Sequence, residues 1–255
     1  MSSRCNSGFH TWSGCKCTVC GKTRDEQHDR SKDCGKCSKC GMIFIKAHTL
    51  SGSKCTVCEK TIVVDKDGNE YKTVTIGTQE WTAENLNIEH YCNGDPISLV
   101  QDASEWKNLN TGACCYYDNK TSNGKIYGKL YNWYAVNDSR GLAPEGWHVP
   151  SDEEWTQLID YLGGEKAAGG KLKATTLWKS LSTGATNSSE FTAFSGGYRF
   201  SIGDFNDVGK YGYFWSASEF NGTLAWFRYL SYVNSGVLRG YGFKKNGLSI
   251  RCVKD

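Results

Sequence analysis

Twelve side chains within the first 58 residues are of the two types that bind zinc, thiol and imidazole. Three Cys-x2-Cys pairs, Cys17/Cys20, Cys37/Cys40 and Cys55/Cys58, recur at intervals of 20 and 18 residues, and the repeats carry His10, His28 and His48 ahead of them. Cys5, Cys15 and Cys34 complete the set. A Cys-x2-Cys turn lets two thiolates reach one tetrahedral ion at about 2.3 Å. A disulfide framework needs no histidines at fixed offsets, and nine thiols are an odd count for closed pairing. The expected cofactor is structural zinc, because every ligand is a protein side chain and no carboxylate–water arrangement accompanies them. Twelve ligands suffice for three four-coordinate ions. Cys17, Cys20, His28 and Cys34 make one local set, but the corresponding position after His48 is Ser53. Either that site borrows a ligand from Cys55/Cys58 or it stays incomplete, so two or three ions are expected.

The elements around these residues fall into two kinds. Nine of 13 Cys lie in residues 1–60, yet only three of 33 aromatic residues do, namely Phe9, Trp12 and Phe44. Lys and Arg outnumber Asp and Glu by 11 to 5 over residues 1–60 and are outnumbered 19 to 22 over the rest. A head at 1–60 that cannot build an apolar core therefore needs staples, and a body at 61–255 has the aromatic mass to bury one. With only 3 Pro and 13% aromatic residues the chain is neither collagen-like nor disordered. No apolar run is long enough to span a bilayer, so no membrane insertion is expected.

In the body, residues 62–76 read as a hairpin around Asp67-Gly68, and Gly77-Thr78 turns the chain into Gln79–Leu86. Residues 127–136 place Leu130, Trp133 and Tyr134 at helical spacing, predicting a first helix. Ser151 and Glu154 form a capping-box pair, followed by Trp155, Leu158, Ile159 and Leu162 and the stop Gly163-Gly164, a second helix. Further strands are expected at 191–194, 213–218, 225–233 and 248–253. Two helices among many short antiparallel strands make an α+β domain.

The motifs Trp81-Thr-Ala-Glu-Asn-Leu86, Tyr127-Gly-Lys-Leu-Tyr-Asn-Trp133, Gly141-Leu-Ala-Pro-Glu-Gly-Trp-His-Val-Pro-Ser-Asp-Glu-Glu-Trp155, Gly196-Gly-Tyr-Arg199 and Ser249-Ile-Arg-Cys-Val253 occur in that order. Together, over about residues 62–255, they resemble the Fibrobacter succinogenes major paralogous domain. That family is similar to the C-type-lectin-like fold shared with formylglycine-generating enzymes. The resemblance thus implies a C-type-lectin-like body whose second helix opens at Pro150-Ser151 and whose last strand returns to the first. Cys115 and Cys252 match positions that the family often fills with Cys, which implies a bridge or a packed thiol pair. Residues 5–60 loosely resemble bacterial zinc-ribbon repeats.

Catalysis finds little support. No Ser/His/Asp or Cys/His set is recognisable, His148 reads as structural, and Glu153 and Glu154 read as first-turn helix residues. Cys92, Cys114, Cys115 and Cys252 do not fall in the reactive pair of the formylglycine-generating branch, which leaves an oxidase of that kind as the alternative. A calcium loop at Gly203-Asp-Phe-Asn-Asp207 is weak. The basic head admits a nucleic-acid-binding zinc protein as another alternative, but it has no finger helix with base-reading positions and no aromatic stacking face.

Binding is the better-supported class. Residues 220–246 interleave aromatic residues with Asn, Ser and Gly, the composition of rigid contact area with adaptable polar groups. The expected contact residues are Phe220, Phe227, Tyr229, Tyr241 and Phe243, with Ser231 and Asn234 as polar adjusters. Alternation sets Trp226, Arg228, Leu230 and Tyr232 on an anchoring face and their neighbours on a free one. This segment resembles the tail of retroelement-diversified ligand-binding proteins, which implies a variable face for a protein or glycan ligand and adds Val233, Gly236, Leu238, Gly240 and Gly242 to the expected ligand-binding positions. The opening residues lack a signal sequence, so synthesis in the cytoplasm is expected, and display on a phage particle or cell surface would use another route.

Overall fold

A computed structural model of the chain describes residues 12–13, 16–17, 50–51, 53–55, 60–179 and 182–255. The chain divides into two compact units, Met1–Ile62 and Val63–Asp255.

In the first unit, β1 (Trp12–Ser13) pairs with β2 (Lys16–Cys17), and β3 (Leu50–Ser51) pairs with β4 (Lys54–Cys55). Trp12 lies opposite Cys17 and Ser13 opposite Lys16, and Leu50 opposite Cys55 and Ser51 opposite Lys54, so the two strand pairs share one antiparallel register. Of the expected zinc ligands, Cys5, His10, Cys15, Cys20, His28, Cys34, Cys37, Cys40, His48 and Cys58 lie outside the described residues. Cys17 closes the first hairpin, and Cys55, which is buried, closes the second.

The second unit is built on three sheets. β5 (Ile62–Val64) and β6 (Glu70–Ile76) form the expected hairpin, its turn held by Asp65 Oδ1, which accepts from the amides of Asp67 and Asn69 at 2.9 Å. Next come β7 (Gln79–Thr82), β8 (Ser98–Leu99), α1 (Ala103–Asn108), β9 (Ala113–Cys115), α2 (Thr121–Tyr127), β10 (Leu130–Tyr131), α3 (Trp133–Val136) and β11 (Trp147–His148). α4 (Asp152–Tyr161) and α5 (Glu165–Leu172) precede β12 (Gly196–Arg199), β13 (Phe205–Val208), β14 (Tyr211–Asn221), β15 (Leu224–Ser231), β16 (Val237–Phe243) and β17 (Val253–Lys254). The sheets run β11-β17-β7-β6-β5, β10-β9-β8 and β13-β12-β14-β15-β16. β17 inserts between β7 and β11, with Val253 opposite both Trp81 and His148. The fold is α+β.

α4 follows the sequence pattern closely. Ser151 Oγ accepts from the Glu154 amide at 3.1 Å and Glu154 Oε2 accepts from the Ser151 amide at 2.8 Å, both halves of the capping box. The helix then buries Trp155, Leu158 and Ile159. Trp155 joins Trp81, Phe191 and Phe214 in a ring cluster with centroid separations of 4.9–6.3 Å. Each such ring removes enough apolar surface from water to supply about 1.5–3 kcal/mol.

Other expectations need correction. Five helices, not two, are present among the described residues. The helix expected over 127–136 is interrupted at Gly128, whose φ of 70° ends α2 and whose missing Cβ lets Leu86 O approach; a side chain there would lie 2.6 Å from it. Leu130–Tyr131 pairs with β9 instead, and Asn132 caps the short α3. Residues 191–194 and most of 248–253 form no regular ladder. The latter segment bonds in turn to Tyr131, Tyr213, Trp215, Leu86 and Thr82, main-chain partners on separate parts of the body. Cys115 and Cys252 are buried free thiols in different core clusters, unbridged, so the implied pairing is not made.

Candidate functional site

The C-terminal sheet is where apolar side chains meet water. Among the described residues, seven of the twelve exposed large apolar ones fall between 202 and 243, so this sheet is the first place to look for a contact surface. β14, β15 and β16 form an antiparallel meander in which Tyr213 lies opposite Tyr229 and Phe214 opposite Arg228. In the next pair, Trp226 lies opposite Tyr241, Arg228 opposite Arg239 and Tyr229 opposite Leu238. Directly opposed residues share a face, so this register sorts the candidate residues onto two sides.

One side carries Phe214, Leu230 and Val237 down into the core beside α4 and α5. Further along the same side Arg228 is buried and ion-paired with Asp152, the first residue of α4. Arg239 reaches the same carboxylate, with Nη2 2.6 Å from Asp152 Oδ2, and its guanidinium lies 3.6 Å from the centroid of the Trp226 ring. Past that ion cluster stands an aromatic platform. Phe220 and Tyr241 stack with centroids 4.4 Å apart and planes 5° from parallel, and Trp226 meets Phe220 edge-on at 4.7 Å. Phe220 is 42% and Tyr241 55% exposed, so the stack is held from behind while its outer surface is open.

The opposite side carries Phe227, Tyr229, Tyr211 and Tyr213, with Tyr198 across the sheet. These rings are half-buried, and Phe227, Tyr213 and Tyr198 pack against the core around Trp215. Tyr213 Oη donates to Asp207 Oδ2 at 3.1 Å; burial, and then the Asp207 charge, push the phenol well up from its usual range. Asp207 is thereby engaged, and among the described residues no three His, Cys, Asp or Glu gather as a metal site.

The expected ligand-binding set is thus not one surface. Phe220 and Tyr241 lie on one side, whereas Phe227, Tyr229, Leu238, Gly240 and Gly242 lie on the other. Gly240 and Gly242 lie beneath the Phe227 ring, which a Cβ at either would approach to 2.8 and 3.0 Å. Phe243 and Val233 are exposed, and Asn234 and Gly236 are half-buried in the turn between β15 and β16. Ser231 is buried and cannot meet a ligand. Its carbonyl, with those of Thr183 and Asn234, accepts from the Lys173 ammonium at 2.7–3.1 Å, a buried cation whose pKa burial pushes down to about 8. Trp226, expected to anchor the core, is only half-buried and belongs to the platform.

Among the described residues, His148 and the thiols of Cys114, Cys115 and Cys252 are engaged in holding the fold. His148 sits between Asp255 Oδ1 at 2.6 Å and Glu154 Oε1 at 2.8 Å, tying the residue after β17 to the start of α4. Burial pushes the Cys114 and Cys115 thiols up to about 12 and Cys252 higher still, far from a nucleophilic thiolate at neutral pH. Among the described helices none is long and apolar enough to cross a membrane. No curated protein and no protein of solved structure matches the chain. The family model of the Fibrobacter succinogenes major domain, however, matches residues 74–254, from within β6 to the end of β17, leaving β5 outside the match. The chain belongs to the Fibrobacter succinogenes major domain family.

Proposed function

We propose that this chain is a non-catalytic recognition protein, with a C-type-lectin-like body that binds a protein or glycan ligand and a head stapled by two or three structural zinc ions. The observation that carries this reading is the Phe220–Trp226–Tyr241 platform: a stacked, exposed aromatic group locked from beneath by a buried ion cluster. Rigid aromatic area that loses little entropy on binding is what hot spots are made of. Elsewhere along β16 and the turn before it, the exposed Val233, Leu238 and Phe243 support little of the fold, which suits positions that differ between relatives, as in retroelement-diversified proteins. The test is a glycan and protein array probed with wild type and with Phe220→Ala/Tyr241→Ala. The double variant should lose its array signal and keep a melting temperature within roughly 4 °C of wild type, since exposed ring contacts contribute only about 0.5–1.5 kcal/mol. Unchanged binding would refute the site, and a collapsed fold would mean that the rings are core. Elemental analysis of the purified chain tests the zinc.

A further inference from the structure

The sheet that carries the platform ends in an open strand. β16 pairs with β15 on one side and is last in the sheet. Its hydrogen-bonding parity is fixed by the Lys244 amide, which donates to Thr223 O at 3.0 Å. Alternation along an antiparallel pair then turns the main-chain groups of Leu238, Gly240 and Gly242 toward β15, and those of Arg239 and Tyr241 outward. Among the described residues none bonds to the main chain of Arg239 or Tyr241. Open edges are ordinarily blunted by Lys, Pro or a bulge. β16, Val-Leu-Arg-Gly-Tyr-Gly-Phe, has no Lys or Pro and pairs with β15 without a register shift. Its one charge, Arg239, is drawn onto Asp152 and Trp226. Among the described residues, the start of the strand is shielded: α5 comes so close to Gly236 that a Cβ there would lie 3.0 Å from Glu165 O.

The geometry points to a second copy of this chain on that edge, β16 pairing antiparallel with β16 about a two-fold axis at Gly240. Bonds form only where outward residues meet outward residues, so the axis must pass through a residue of the strand. An axis at Arg239 sets two guanidiniums directly opposite each other, a repulsive pair. An axis at Tyr241 sets Gly240 opposite Gly242 twice and leaves one face of the junction without side chains. The axis at Gly240 places Arg239 opposite Tyr241 twice, cation beside ring, and Leu238 opposite Gly242 twice, a large side chain where its neighbour has none. The contact is self-complementary, as a closed dimer requires. It merges two sheets into one and leaves both aromatic platforms on the same side, so a multivalent ligand would meet two sites at once. A foreign extended peptide could use the same amides but is indifferent to how residues 239 and 241 match each other.

Sedimentation equilibrium on the full chain decides it. Wild type is expected at twice the 28.3 kDa chain mass. Tyr241→Lys sets an ammonium opposite Arg239 at both ends and should weaken the dimer roughly ten-fold. Tyr241→Glu loses the same ring but sets an anion there and should keep the dimer. Tyr241 is exposed, so both variants should fold, with circular dichroism as the check. A monomeric wild type, a dimer that Tyr241→Lys leaves intact, or dissociation by both variants would each overturn the pairing.

Discussion

Asp152→Ala puts the support beneath the platform under the sharpest test. Asp152 ends α4 at its N-terminal side and holds two guanidiniums, that of Arg228, whose side chain is 3% exposed, and that of Arg239, which is far more open. Without the carboxylate, Arg228 keeps Thr156 Oγ1 at 3.0 Å and the residue 152 carbonyl at 3.2 Å, but no anion. Breaking a buried pair by removing one partner costs about 3–5 kcal/mol, whereas the exposed Arg239 pair adds no more than about 1 kcal/mol. For a body of this size a kcal/mol corresponds to about 2–4 °C, so the melting temperature should fall by roughly 6–20 °C. Differential scanning fluorimetry on the full chain reads this directly. Asp152→Leu combined with Arg228→Met should recover much of the loss, because an apolar pair leaves no charge stranded. An Asp152→Ala protein that melts within about 2 °C of wild type would show that the ion cluster does not hold the sheet to α4.

Two further outcomes follow from the same packing. Burial acts downward on His148, but its hydrogen bonds to Asp255 and Glu154 prevail and hold its folded pKa above 6.5. The stability it contributes is therefore complete below about pH 6.5 and is lost as pH rises through the folded value. Urea midpoints should fall between about pH 6 and about pH 8 in wild type and be flatter in His148→Gln; equal slopes would refute the clamp. Among the body thiols, iodoacetamide followed by mass spectrometry should label the exposed Cys92 in the native protein and Cys114, Cys115 and Cys252 only after denaturation. Native labelling of Cys115 would mean that the core around it opens.

Local signals in the sequence were sufficient where one element decides its own fate. The Ser151/Glu154 box and the Asp67-Gly68 turn are complete within a few residues, and both formed as read. Long-range partners decided the rest. Gly128 interrupts a helical pattern because Leu86, far away in the chain, occupies the space beside it. α5 carries Gly169 and Gly170 and looks like a poor helix, yet those glycines let the turn at Ser235 and Gly236 come into contact. In the candidate site, alternation along β15 correctly separated Arg228 from Phe227 and Tyr229. Alternation says nothing of which residue of β16 lies opposite which, so grouping Tyr241 with Tyr229 fails where the register sets it against Trp226. Ser231 shares its strand face with the half-buried Tyr229 yet is itself buried, its carbonyl on the Lys173 ammonium, a contact with no local trace in the sequence.

This sheet assigns shape and contact to different side chains, and a pair of display libraries tests that division. One display library randomises Phe220, Val233, Leu238 and Tyr241, and the other randomises Arg228, Leu230, Ser231 and Val237. Survival of protease treatment is then counted by sequencing. Most members of the first library should survive and few of the second. Equal losses in the two libraries would contradict it.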